Sequence, residues 1–145
     1  MNSKRGQMKL SFGMIFSIIL IIVFLVVAFF AIQKFMNLQK IIVSKQFIED
    51  FQADVNQKWK SSQGSGIKTY NLHSSIISIC FREDNFKNLK INYKDKYDEE
   101  NIENIDIENT LQGQSEMCIE AKDSEIKLMI QKNYSEPLVT IKPAE

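Results

Sequence analysis

One stretch, from Leu10 to Ile32, constrains what the rest of this chain can fold into. It holds 23 residues without a charge, and 17 of them are Leu, Ile, Val or Phe. In a helix that rises about 1.5 Å per residue, this stretch spans roughly 34 Å, enough to cross the hydrocarbon core of a bilayer. A buried helix of a soluble core would need a far larger domain around it. The sequence therefore predicts a membrane-spanning helix over 10–32.

The remaining residues leave room for one small domain, since the whole chain has 145 residues. The formal net charge is zero, so there is no basic excess of the kind that nucleic-acid binding requires. Two cysteines, Cys80 and Cys118, and a single histidine, His73, are too few for a metal site with plausible ligand spacing. A disulfide between Cys80 and Cys118 is the simplest expectation for a small exported domain, and two small core residues are the alternative in the cytosol.

The first nine residues form a basic leader, with Lys4, Arg5 and Lys9. Positive charge next to a spanning helix favours a cytoplasmic amino terminus, but lysines also follow the helix, so charge alone leaves the orientation nearly tied. The two cysteines favour export of the carboxyl-terminal domain. The apolar stretch is longer than that of a cleaved secretory signal, which is usually 7 to 15 residues and ends in a small-x-small site. We therefore expect the helix to stay attached.

The leader Lys4-Arg5-Gly6, followed by Gln7 and then by the long apolar helix, resembles that of archaeal type IV prepilins. The resemblance implies cleavage by a prepilin peptidase between Gly6 and Gln7, with the apolar helix kept at the mature amino terminus. It also implies a pilin-like or pseudopilin-like fold. Members of that family usually carry a glutamate as the fifth mature residue, where this chain has Ser11. That departure leaves a minor or non-polymerising protein open.

The helix is predicted to continue as an amphipathic segment over 33–60, which contains neither proline nor glycine. Apolar residues recur there at helical spacing and predict one face that packs against a sheet. These residues are Ile41, Ile48, Phe51, Val55 and Trp59. A membrane stalk or a short coiled coil is the alternative interpretation.

Residues 61–66 read as a flexible linker, because they hold two glycines and three serines. Short alternating segments follow and predict an antiparallel β domain over 67–145, with one sheet of four to six strands. Lys122-Asp123-Ser124 predicts a hairpin turn. The predicted strands are 67–71, 75–81, 89–93, 102–107, 116–121, 125–131 and 138–141. The expected fold class is α+β: a long amino-terminal helix and a small antiparallel β-sheet domain.

No residue pattern in the chain indicates an enzyme or a bound cofactor. His73 has no nearby candidate nucleophile, and no phosphate-binding loop, HExxH or GxSxG motif occurs. Seven acids lie between Asp95 and Glu108, but their spacing fits no EF-hand, so a solvated loop with an edge strand is a better interpretation than a calcium site. Asn133-Tyr134-Ser135 is a glycosylation acceptor that matters only in an exported domain.

These observations predict a single-pass protein of the cell membrane with a cytoplasmic amino terminus and an extracytoplasmic β domain. By its resemblance to type IV pilins, it would be a structural subunit of a cell-surface filament or assembly. Its expected partners are membrane lipid, the prepilin peptidase, and copies of itself or related subunits that contact the amino-terminal helix. The alternative is a β domain that stays anchored in the membrane and binds a protein or ligand.

Overall fold

The computed structural model describes residues 12–84 and 86–144. A single long helix, α1, is followed by seven strands and one short helix. In chain order the elements are α1 (Phe12–Trp59), β1 (Gly64–Asn71), β2 (Ile76–Arg82), β3 (Leu89–Tyr93), β4 (Tyr97–Glu100), α2 (Ile107–Leu111), β5 (Glu116–Glu120), β6 (Glu125–Lys132) and β7 (Thr140–Pro143). The expected α+β class, with a long amino-terminal helix before small antiparallel sheets, is confirmed at this level.

The chain divides into two compact units, with the boundary between Gln39 and Lys40. Helix α1 supplies the described part of the first unit, and its second half belongs to the second unit. We call the second unit, Lys40–Glu145, the β unit. Among the described residues, helix α1 is long and apolar enough to cross a membrane, by length and composition.

Helix α1 runs without interruption to Trp59 because no proline or glycine occurs between Gly13 and Trp59. It ends where the backbone N–H and the hydroxyl of Ser61 both donate to the carbonyl of Lys58, at 3.0 and 2.6 Å. These two bonds satisfy a carbonyl that the last helical turn leaves without a partner. The chain then enters β1 at Gly64. Only the first part of the predicted flexible linker over 61–66 therefore connects the helix to the sheet, because Gly64 to Gly66 already pair with β6.

The strands of the β unit form two antiparallel sheets where the sequence predicted one. The three-stranded sheet has the order β1-β6-β7, and the four-stranded sheet has the order β4-β3-β2-β5. The tight turn predicted at Lys122-Asp123-Ser124 is present, with Asp123 and Ser124 both at positive φ and two backbone bonds between Lys122 and Glu125. However, this turn does not form the predicted hairpin, because β5 and β6 belong to different sheets.

The strand predicted over 102–107 is wrong. This segment is a loop that leads into α2, and the edge strand β4 lies earlier, at Tyr97–Glu100. Ile102 and Ile105 are nevertheless buried, so the loop contributes apolar side chains to the core. The side chain of Asn88 binds both the N–H and the carbonyl of Ile102, at 2.8 Å each, and thereby takes the place of a neighbouring strand. Asp106 then caps α2 by accepting a bond from the N–H of Asn109.

The hydrophobic core combines α1 with both sheets. Phe51 of α1 is fully buried, and its ring centroid lies 5.8 Å from that of Tyr70 in β1 and 6.0 Å from that of Phe81 in β2. One helical side chain thus contacts a strand of each sheet. The inward positions of the central strands, such as Ile79 in β2 and Leu128 in β6, alternate with outward ones and complete this core.

Candidate functional site

The first candidate surface is the apolar part of α1. Every described side chain from Phe12 to Gln39 is exposed, and from Phe12 to Ile32 nearly all of them are large and apolar. The hydroxyl of Ser17 donates to the carbonyl of Gly13 at 2.8 Å, so it needs no partner outside the helix. Such a surface is stable in lipid or against other apolar helices. The predicted processing residues Gly6 and Gln7, like Leu10 and Ser11, lie outside the described residues.

The second candidate surface is the face of α1 that packs inside the β unit. Of the residues predicted there, Phe51 and Val55 are fully buried and Ile48 is half-buried, whereas Ile41 is 50% exposed and Trp59 is 41% exposed. Trp59 still makes a specific contact, since its indole N–H donates to the carbonyl of Pro137 at 3.0 Å.

Two buried residues of this helical face, Ser44 and Phe47, were not predicted from the sequence. Phe47 stacks on Phe51 with ring centroids 5.8 Å apart. Its spacing of four residues from Phe51 was a signal that could have identified it. Ser44 could not be identified in this way, because a serine interrupts the pattern of apolar residues at helical spacing.

Two tyrosines connect this face to the sheets by polar contacts. The hydroxyl of Tyr93 in β3 shares a bond of 2.7 Å with the hydroxyl of Ser44. Tyr70 in β1 donates to Asp54 of α1 at 2.8 Å, and Asp54 also pairs with Lys68 at 2.9 Å. Burial is the main cause that raises the pKa of Tyr70, and the bond to the Asp54 carboxylate raises this pKa further. Burial likewise raises the pKa of Tyr93, and the hydrogen bond to Ser44 partly offsets this rise.

The raised pKa of Tyr70 predicts a loss of stability in alkali. The unfolded chain releases the tyrosine proton near pH 10, whereas the folded chain holds it, so the free energy of unfolding should fall as the pH rises above about 10. Tyr70→Phe should make this decline shallower. Denaturant unfolding of the full chain between pH 8 and 11 measures the effect. Tyr134→Phe is the matched control, because Tyr134 is 77% exposed; an equal change in both variants would contradict the prediction.

The expected disulfide between Cys80 and Cys118 is present. The two cysteines are directly opposite each other on the neighbouring strands β2 and β5, with 4.0 Å between their Cα atoms. Cys80 is fully buried, and Cys118 is exposed on β5, which is an edge strand of the four-stranded sheet. The bond therefore fastens an edge strand to a central one.

The acidic run from Asp95 to Glu108 is dispersed over separate contacts. Glu99 pairs with Arg82 at 2.7 Å, Asp98 lies 3.5 Å from Lys96, and Asp106 caps α2. Among the residues that the structure describes, one group of side chains has the spacing of metal ligands: Cys80, Glu116 and Cys118. Both of its sulfur atoms are already joined in the disulfide. This arrangement favours ion pairing and capping as the roles of the acids.

His73 and Asn133 both have local partners in turns. Nδ1 of His73 accepts a bond from the backbone N–H of Ser75 at 3.1 Å and lies 2.8 Å from the hydroxyl of the same residue. The side chain of Asn133 accepts a bond from Gln131 and donates to Glu136. These contacts give each residue a structural role at the end of a strand.

Comparison of the chain with protein-family models, with curated proteins and with solved structures finds no match. In the part of the chain that the structure describes, one helix near the amino terminus is long and apolar enough to cross a membrane, and an α+β unit with a disulfide follows it.

Proposed function

We propose that this chain is a single-pass membrane protein that serves as a type IV pilin-like or pseudopilin-like subunit of a cell-surface filament or assembly. The observation that carries the proposal is the single helix α1, Phe12–Trp59. Its first part is apolar on all sides, and its second part buries one face, with Phe47, Phe51 and Val55, in the core of the β unit. This division of one helix is the plan of a pilin subunit.

The apolar first part of α1 provides the mechanism of assembly. Its exposed side chains are satisfied by lipid when the subunit is alone, and by the helices of neighbouring subunits after assembly. Because Ser17 is bonded within the helix, the described part of this surface carries no polar group that opposes either environment before Gln33. When neighbouring helices replace lipid, the described side chains before Gln33 thus remain in apolar surroundings.

The proposed orientation has the amino terminus in the cytoplasm and the β unit outside. Lys4 and Arg5 of the leader favour the cytoplasmic side. The disulfide supports an oxidising compartment for the β unit, since disulfides persist outside the cytosol.

One sequence observation favours a second candidate function. Ser11 stands where pilins usually carry the glutamate that takes part in assembly. A subunit without that acid fits a β unit that stays anchored in the membrane and binds a protein or ligand. Cleavage between Gly6 and Gln7 distinguishes the two, because only the pilin-like function requires it.

The test is the mass of the protein purified from its native membrane. We expect a chain that begins at Gln7. Gly6→Leu should abolish this processing, whereas Ser3→Ala, a small change in the same leader, should leave it intact. An unprocessed amino terminus in the natural chain would refute the pilin-like proposal and favour the anchored β unit.

A further inference from the structure

The disulfide lies on the outer face of the four-stranded sheet. Ile79 and Phe81, the neighbours of Cys80 in β2, belong to the hydrophobic core, so Cys80 projects from the opposite face. On that face it stands between two cross-strand neighbours, Lys90 of β3 and Cys118 of β5. The bond is thus set among polar side chains and outside the packed core.

The two cysteines differ in their access to solvent. Cys80 is 0% exposed, whereas Cys118 is exposed and lies on β5, an edge strand of the four-stranded sheet among the residues that the structure describes. Cys118 also lines a cleft of about 510 Å³, whose charged lining residues are Glu120, Lys122, Asp123, Glu125 and Lys127. The cleft is large enough for a small thiol such as glutathione. Cys80 does not line this cleft.

The surroundings of Cys80 suit a leaving group. Nδ2 of Asn92 lies 3.2 Å from Sγ of Cys80 and donates a hydrogen bond to it. Lys90 is the cross-strand neighbour of Cys80 on β3, and its side chain carries a positive charge. A hydrogen-bond donor and a positive charge both stabilise a thiolate, and a thiol of lower pKa leaves faster in disulfide exchange.

One neighbour opposes this reaction. An oxygen of the Glu116 carboxylate lies within 4.8 Å of both sulfur atoms, and its negative charge disfavours an approaching or a leaving thiolate. Nζ of Lys90 lies 3.9 Å from Glu116 and reduces this repulsion. Glu116 is therefore expected to slow the exchange, and Asn92 is expected to favour it.

We propose that the Cys80–Cys118 disulfide is a thiol-exchange site that opens by attack of a small thiol on Cys118. The thiolate of the incoming molecule forms a bond to Sγ of Cys118, and Cys80 leaves with the electron pair as a thiolate. One S–S bond breaks and one forms, so no external oxidant or reductant is consumed. The product is a mixed disulfide on Cys118, and the return of the Cys80 thiolate reverses the step.

The test treats the full chain, in detergent micelles at neutral pH, with reduced glutathione and stops the reaction with acid at early times. Peptide mass mapping then locates the adduct. We expect glutathione on Cys118 and a free thiol on Cys80. An adduct mainly on Cys80, equal amounts on both cysteines, or no adduct at all would overturn the proposal.

Two variants test the roles of the neighbouring side chains through the initial rate of adduct formation. Asn92→Ala should slow exchange about fivefold, because the leaving thiolate loses a hydrogen bond. This sign is opposite to that of a general loss of stability, which would expose the bond and speed the reaction. Glu116→Gln should raise the rate about threefold, because a repulsive charge is removed. Asn101→Ala and Glu103→Gln are the matched controls at exposed positions.

Unchanged rates in both test variants, or equal changes in their controls, would overturn the proposed mechanism. The rate should also stay constant in urea concentrations below the unfolding transition. A rate that rises with urea in that range would show that the bond opens only in unfolded chains, and this too would overturn the proposal.

Discussion

Phe51→Ala is expected to lower the free energy of unfolding of the β unit by about 3–5 kcal/mol. Phe51 is fully buried, and its ring contacts Phe47 on the same helix, Tyr70 in one sheet and Phe81 in the other. Truncation removes apolar area from the core and leaves a cavity among three elements that cannot all move into it. The loss is a large part of the 5–15 kcal/mol that a domain typically has.

Guanidinium unfolding of the full chain in detergent, followed by the fluorescence of Trp59, measures this effect. Trp59 is the only tryptophan of the chain, so its signal has one source. Phe86→Ala is the matched control, because it removes the same side chain from a position that is 82% exposed. The control should change the free energy of unfolding by no more than about 0.5 kcal/mol. A loss below about 1 kcal/mol in Phe51→Ala would contradict the described core.

Removal of the disulfide has the second large expected effect. The cysteines are separated by 38 residues in sequence. On the chain-entropy description, a bond that closes such a loop restricts the unfolded chain by about 4 kcal/mol at 25 °C. The double variant Cys80→Ala/Cys118→Ala should lose a comparable free energy of unfolding.

The same guanidinium titration measures the double variant. The natural chain in the presence of a strong thiol reductant is the matched control, because it keeps both side chains and loses only the bond. We expect both to unfold at a lower denaturant concentration than the oxidised chain, with similar midpoints. A shift that corresponds to less than about 1 kcal/mol would show that the unfolded chain gains little freedom when the bond is absent.

The sequence predicted the elements that depend on local patterns. The uncharged run that ends at Ile32 favours the helix that the structure has at Phe12–Trp59. The absence of proline and glycine between Gly13 and Trp59 favours it as well. The period of two in residues such as Ile126, Leu128 and Ile130 gave β6 nearly to its ends. In each case, the element is determined by residues that are close together in the sequence.

The division into two sheets could not be predicted, because it depends on distant partners. The turn at Asp123 and Ser124 has the same local chemistry whether the flanking strands pair or separate. The apolar residues Ile102 and Ile105 favoured a strand, but the loop is held by distant partners. The side chain of Asn88 binds the backbone of Ile102, and the side chain of Gln52 binds the backbone of Glu103. Neither partner can be read from short-range spacing.

The cluster of side chains on the outer face of the four-stranded sheet could not be predicted from the sequence for a similar reason. Asn92, Glu116 and Cys80 are far apart in sequence, and the register of β2 with β3 and β5 brings them together. The two cysteines could be identified from the sequence. The asparagine and the glutamate could not, because they belong to no sequence motif.

The pairing of β1 with β6 sets the order in which the β unit can form. Gly64 pairs with Lys132 and Asn71 pairs with Glu125, so each residue of β1 pairs with one that lies 54 to 68 positions later in the sequence. Closure of such a long loop delays folding. Until β6 arrives, β1 has no partner in the three-stranded sheet. If the unit is exported, the segment from β1 to β6 must reach the far side of the membrane before this sheet can form.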